Sequence, residues 1–208
     1  LNQLEPRFAE YIAGRLPPDP AHDLQHVRRV VENARRFAIA EGADLAVVIP
    51  AAWLHDCVSL PKNHPDRHLG SRLAADEACR FLRGIGYSEA LLPAIGHAIE
   101  AHSFSAGIPA RTLEAQVVQD ADRIDGLGAI GVSRCLLVGC TLQRPLYSPD
   151  DPFCETREPD DQAFCVDHFF RKLFRVAQTL HTAGARAEAE QRVAFMRAYL
   201  AQLGRELA

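Results

Sequence analysis

Four side chains spread along the chain could together bind a divalent cation: His26, the adjacent pair His55 and Asp56, and Asp122 in the run Gln119-Asp120-Ala121-Asp122-Arg123-Ile124-Asp125. Imidazole nitrogen and carboxylate oxygen in one set suit Mn, Fe, Co, Ni or Zn. Four protein ligands on a six-coordinate ion leave positions for water, which is what a catalytic ion needs. A His-Asp dipeptide alone says little, since His22-Asp23 and the reversed Asp167-His168 occur in the same chain. Context says more, because His55 and Asp56 close an apolar stretch where polar side chains are costly to bury without a partner. From spacing alone two readings stand: a metal pair, or a hydrogen-bonded buried histidine beside a helix-end aspartate.

Elements must bring these residues together, and the apolar pattern predicts helices. Leu4, Phe8, Tyr11 and Ile12 recur at helical spacing, then Val27, Val30, Val31, Ala34 and Phe37. Between them Leu16-Pro17-Pro18-Asp19-Pro20 breaks the pattern, so the helix carrying His26 begins near 21–23, with Asp23 as its cap. Asp44 caps a third helix over about 45–56, apolar almost throughout and so destined for the core. Pro50 should kink that helix or delay its start, and either leaves His55 and Asp56 at its C-terminal end.

After a loop at 61–68, helical patterns cover about 69–83, 89–102, 111–122 and 127–138. A proline- and acid-rich excursion fills 145–161, and helices close the chain at 162–180 and 185–206. No alternating strand and no repeat stands out. The expectation is an all-α bundle and a single domain over 1–208, with a metal-binding core at about 20–140 and a C-terminal helical extension at about 145–208.

With 48% hydrophobic and 24% charged residues, the composition is that of an ordinary globular protein. A net charge of -4 offers no broad positive field for long nucleic acid but leaves small anionic substrates open. No apolar run approaches the roughly 18 residues that span a bilayer. The opening residues also lack the order of a secretory signal, so a cytoplasmic location is expected. The six cysteines form no CxxC pair and are expected as free thiols. Gly126, Gly128 and Gly131 fail the GxGxxG spacing and follow no strand, so close helix packing explains them better. No nucleophile elbow or Walker motif is present, which leaves covalent catalysis unsupported.

The order His, His-Asp, then Asp in an Ala-Asp-Arg setting resembles the HD superfamily of metal-dependent phosphohydrolases. Segments 22–30, 54–56, 62–65, 101–105 and 119–131 resemble its bacterial YedJ-type branch, and Asp151-Pro152-Phe153 and Asp167-His168-Phe169 extend the likeness over almost the whole chain. The resemblance implies an HD-domain helical bundle and metal ligation by His26, His55, Asp56 and Asp122. It prefers Asp122 over Asp120 and Asp125 because the last ligand follows Ala and precedes Arg; Asp125 then reads as an outer-shell or capping group. The cofactor it implies is one divalent ion: Mn, Mg, Fe, Co, Ni or Zn. Binuclear members carry further histidines between the pair and the last Asp, so His97 and His102 admit a second metal.

The implied reaction is attack of a metal-activated water on phosphorus, with Asp56 or Asp122 assisting as base. Lys62 and His102 would act with Asp56 in catalysis, and Arg29, Lys62, His97 and His102 would contact the substrate phosphate. Plain alternatives stand beside these: a solvated loop lysine for Lys62 and a half-buried helix residue for His97. The expected partner is a small phosphorylated substrate, a nucleotide above others, cleaved to release phosphate or pyrophosphate. Two other functions fit the resemblance, a di-iron oxygenase and a catalytically silent nucleotide sensor.

Overall fold

A computed structural model describes residues 3–16, 23–58, 60, 66–103 and 106–207. Among these residues the chain is helical and contains no strand, as its periodicity predicts. His22 and Lys62 lie outside the described residues. The helices are α1 (Glu5–Ala13), α2 (Leu24–Glu41), α3 (Leu45–Leu54), α4 (Gly70–Gly84), α5 (Leu92–His102), α6 (Leu113–Asp125), α7 (Gly128–Thr141), α8 (Phe174–Ala177) and α9 (Ala183–Leu207). The chain divides into two compact units, Leu1–Asp122 and Arg123–Ala208, with the boundary inside α6.

In the first unit α3 is the hub and packs against α1, α2, α4 and α5. Its sequence dictates this position, since residues 47–54 are all buried and no face is left for water. Fully buried Phe8, Ile12, Phe37, Ile49, Leu54, Leu82, Ile95 and Ile99 fill the surrounding core. Each such side chain contributes about 1.5–3 kcal/mol by leaving water. Both predicted caps form: the Asp23 carboxylate accepts from the His26 amide at 2.9 Å, and that of Asp44 from the Ala46 amide at 2.8 Å.

Pro50 does not delay α3, which starts at Leu45. Proline has no amide hydrogen, so the Ala46 carbonyl loses its donor four residues on. The Tyr87 hydroxyl supplies one instead, at 2.6 Å. On another side, Glu5 of α1 accepts from Trp53 Nε1 of α3 at 3.0 Å and from Arg35 of α2 at 2.7 Å to each carboxylate oxygen. One carboxylate thus joins three helices.

The second unit holds α7, α8 and α9, with α9 packed on both α7 and α8. Gly131 is required by packing: a Cβ there would lie 2.2 Å from the Gly126 carbonyl oxygen. The helix expected over 162–180 is shorter, a π-helical turn at Phe169–Leu173 running into α8. Side chains order the irregular stretch before it. Asp151 accepts from the amides of Glu155 at 2.9 Å and Thr156 at 2.8 Å, and Arg157 forks onto buried Asp167 at 2.5 and 2.7 Å. All six cysteines are free. Among the described residues no single helix is long and apolar enough to cross a membrane.

Candidate metal centre

Three helix ends and one helix face of the first unit converge. His26 lies in the first turn of α2, three residues after its cap. His55 takes the C-cap position of α3 and Asp56 follows it. His102 ends α5, and Asp122 stands on α6.

The last four carbonyls of a helix have no amide donor within it. Two of these histidines turn back to fill that need: Nδ1 of His55 lies 2.8 Å from the Ala52 carbonyl, and Nδ1 of His102 lies 2.6 Å from that of Ile99. A carbonyl can only accept, so each Nδ1 carries a proton and each Nε2 is the ring's remaining ligand atom. Outer hydrogen bonds of this kind orient metal-binding imidazoles.

Those Nε2 atoms face carboxylates. His55 Nε2 is 3.4 Å from Asp56 Oδ2 and 3.9 Å from Asp122 Oδ1, while His26 Nε2 is 3.9 and 3.5 Å from the same two atoms. His102 Nε2 lies 3.6 Å from the other oxygen of Asp56, Oδ1. His55 is fully buried, and its Nε2 has no hydrogen-bond partner. A buried polar atom left in this way is costly unless a cation completes it.

Ligand atoms of His26, His55 and Asp56 all lie within 4.8 Å of one another. With metal–nitrogen and metal–oxygen bonds of about 2.0–2.2 Å, one divalent cation would be held by this donor set after small shifts. The side chains of Asp56 and Asp122 stay 25% and 28% exposed. An ion between them would therefore keep a side open to water, unlike a closed structural site.

Charge follows the same geometry. Burial pulls the His55 pKa down, but Asp56 and Asp122 outweigh it and raise it to about 9. Burial pushes the Asp56 carboxyl up, yet the His55 and His102 imidazoles hold it well below the usual carboxylate range. For Asp122 burial is likewise overcome by His55, His102 and His26, and its pKa is lowered. The centre is built for positive charge between two carboxylates, and a metal ion would displace the proton on His55.

The other residues singled out from sequence fall in several places. Arg29 is half-buried on α2, one turn after His26. His97 does not join the group: its Nε2 accepts from the Arg111 amide at 3.1 Å. It precedes His102 by five residues, about 140° around the helix. Asp120 is buried on α6, and Asp125 carries an ion pair with Arg134 at 2.8 Å. Cys57, read from sequence only as one of six free thiols, donates from Sγ to the Ala74 carbonyl at 3.3 Å and pins the turn after Asp56 to α4. Burial pushes this thiol up to about 12, so it stays protonated as a donor. Its adjacency to the His-Asp pair is the one sequence signal of that role.

The HD domain family model matches residues 23–127, a span that includes His26, His55, Asp56 and Asp122, and the chain belongs to this family. It is 32% identical over 190 residues to the uncharacterized protein YpgQ of Bacillus subtilis (strain 168), covering 89% of this chain and 84% of that one. The crystal structure of YpgQ in complex with ADP superposes with a TM-score of 0.76 at 30% identity, covering 97% of this chain and 96% of the other. An HD-superfamily hydrolase from Bacillus thuringiensis superposes with a TM-score of 0.76 at 27% identity, covering 99% and 96%.

Proposed function

We propose that this chain is a metal-dependent phosphohydrolase. His26, His55, Asp56 and Asp122 hold one divalent ion, and the substrate is a nucleotide or another small phosphoester or phosphoanhydride. The observation that carries this reading is the buried Nε2 of His55, without a hydrogen-bond partner, facing two carboxylates that stay open to solvent. A bound divalent ion supplies a water of lowered pKa and polarises a phosphoryl oxygen.

The chain's own residues do the rest. Asp56 and Asp122 together balance the charge of a divalent ion, and either can accept the proton released from water. His102, with Nε2 beside Asp56 Oδ1 and Nδ1 held on Ile99, contacts a phosphoryl oxygen when Nε2 carries a proton as well. Arg29 shares the His26 face of α2 and adds positive charge for a phosphate. Lys62 is assigned the same task from sequence alone. The complex of YpgQ with ADP supports a nucleotide as the ligand class.

A nucleotide panel assayed with Mn2+ and with Mg2+, with phosphate and pyrophosphate read separately, tests this. Either product identifies the hydrolase and the bond it cleaves. Two irons with oxygen consumption would point to an oxygenase instead, and nucleotide-dependent stabilisation without any product to a sensor.

A further inference from the structure

Gln119 is almost fully buried, at 4% exposure, on α6. Its Nε2 donates to the Ala101 carbonyl at 2.5 Å. That carbonyl belongs to the peptide bond leading into His102 and is among the last four of α5, which no amide within the helix can satisfy. Gln119 precedes Asp122 by three positions, about 60° around the helix, so both stand on one side of α6.

From this geometry we infer that Gln119 is a positioning residue for the metal centre, a deepening that rests on the metal-dependent reading above. Its amide grips the end of α5 from α6 and so sets Asp122 against His102. The same contact sets Asp122 against the His55-Asp56 pair, because α5 packs directly on α3. A second side-chain bond crosses from α6 further up the helix, Glu114 Oε1 accepting from the Asp44 amide at 3.2 Å. This places α6 against the start of α3, the helix that ends at the site. Gln119 lies closer to the ligands along α6 and touches the peptide adjoining a site residue.

The amide's polarity is essential to the role. Carbonyls need a donor, and neither methionine of similar length nor an ionised glutamate provides one. Without it the Ala101 carbonyl stays buried and unsatisfied, the end of α5 relaxes, and Asp122 and His102 lose their mutual setting. Outer hydrogen bonds that orient ligands typically change metal affinity or activity by about 10–100-fold when removed.

The test compares wild type with Gln119→Met and Gln119→Glu, each first stripped with chelator. Circular dichroism and the metal-free Tm report folding, Mn2+ titration calorimetry reports affinity, and the visible spectrum of the Co2+-loaded protein reports ligand geometry. Expected for both variants are a wild-type circular dichroism spectrum, about tenfold or greater weakening of Mn2+ binding and an altered Co2+ spectrum. In a turnover assay kcat falls more than KM rises, because a purely structural contact would not move the Co2+ bands or split these constants. Mn2+ affinity and Co2+ spectra equal to wild type in folded variants would overturn the inference while leaving the metal centre standing. Wild type that binds neither ion would overturn the metal reading itself, and the inference with it. Should both variants misfold, the Gln119 side-chain amide resonance of wild type decides: diamagnetic Zn2+ should shift it, and an unmoved resonance counts against the role.

Discussion

The imidazoles of His55 and His102 meet edge to face, ring centroids 4.9 Å apart at an interplanar angle of 79°. They approach opposite oxygens of the Asp56 carboxylate, His55 at Oδ2 and His102 at Oδ1. One carboxylate therefore separates two histidines that are otherwise built alike, each with Nδ1 on the carbonyl three residues earlier. Only His55 also has His26 and Asp122 within reach of the same oxygen pair.

This asymmetry predicts different losses. His55→Ala should bind no metal after dialysis, whereas His102→Ala should keep about one metal per chain and lose roughly 10²–10⁴-fold in turnover, the range for a displaced acid, base or charge-stabilising group. Metal content and kcat on the same preparations distinguish them. Loss of the metal from both variants would make His102 a ligand.

Mn2+ should stabilise wild type and leave His55→Ala unmoved. At a free concentration of about 100 times Kd, a ligand bound only by the folded state adds about 2.7 kcal/mol. That should raise Tm by roughly 5–10 °C for a chain of this size. Chelator should reverse the shift, and a Tm indifferent to both additions would contradict a cation-completed site.

Glu5 gathers α1, α2 and α3 through Trp53 and Arg35. Glu5→Ala leaves the mostly buried indole N–H and a partly exposed guanidinium without this acceptor. The expected cost is about 2 kcal/mol, or a Tm lower by roughly 4–8 °C. An unchanged Tm would show that water replaces the carboxylate.

Asp167 gives the acid limb of stability. Burial pushes its carboxyl up, but Arg157 and the Asp160 amide outweigh this and lower its pKa. A folded pKa below the unfolded value of about 3.9 means stability that is fully present above pH 5, and is lost as pH falls through the folded value. Asp167→Asn should be less stable than wild type at pH 7 and show a flatter decline between pH 5 and 3 in denaturant titrations. Parallel declines would exclude the pair as a source of acid sensitivity.

Much of this was legible in the chain because the causes are local. Asp23 and Asp44 could be read as caps since a cap needs only its own next residues, and α3 could be placed in the core because it has no polar face. The order of His26, His55, Asp56 and Asp122 pointed to a candidate site only through the resemblance, since spacing alone left two readings open; each of the four lies on or at the end of a recognisable helix. Helical phase would also separate His97 from His102, which a reading of residue types alone treats together. Contacts between distant segments were not legible: Tyr87 repairing the gap left by Pro50, Arg157 forking onto Asp167, and Gln119 reaching Ala101 depend on packing that no local pattern encodes. The helix expected over 162–180 shrank because the amides of Cys165 and Val166 donate to the Pro145 and Leu146 carbonyls at 3.0 and 2.9 Å and Asp167 is tied to Arg157, which holds its first part in turns.

The most direct test pairs Asp56→Ala with wild type, measuring bound metal by elemental analysis and phosphate or pyrophosphate release from nucleotides in Mn2+. Asp56 touches His26, His55 and His102 at once, so the variant should hold no stoichiometric metal and release no product, while wild type holds one ion and turns over. An Asp56→Ala variant that keeps its metal and full activity would contradict the account at its centre.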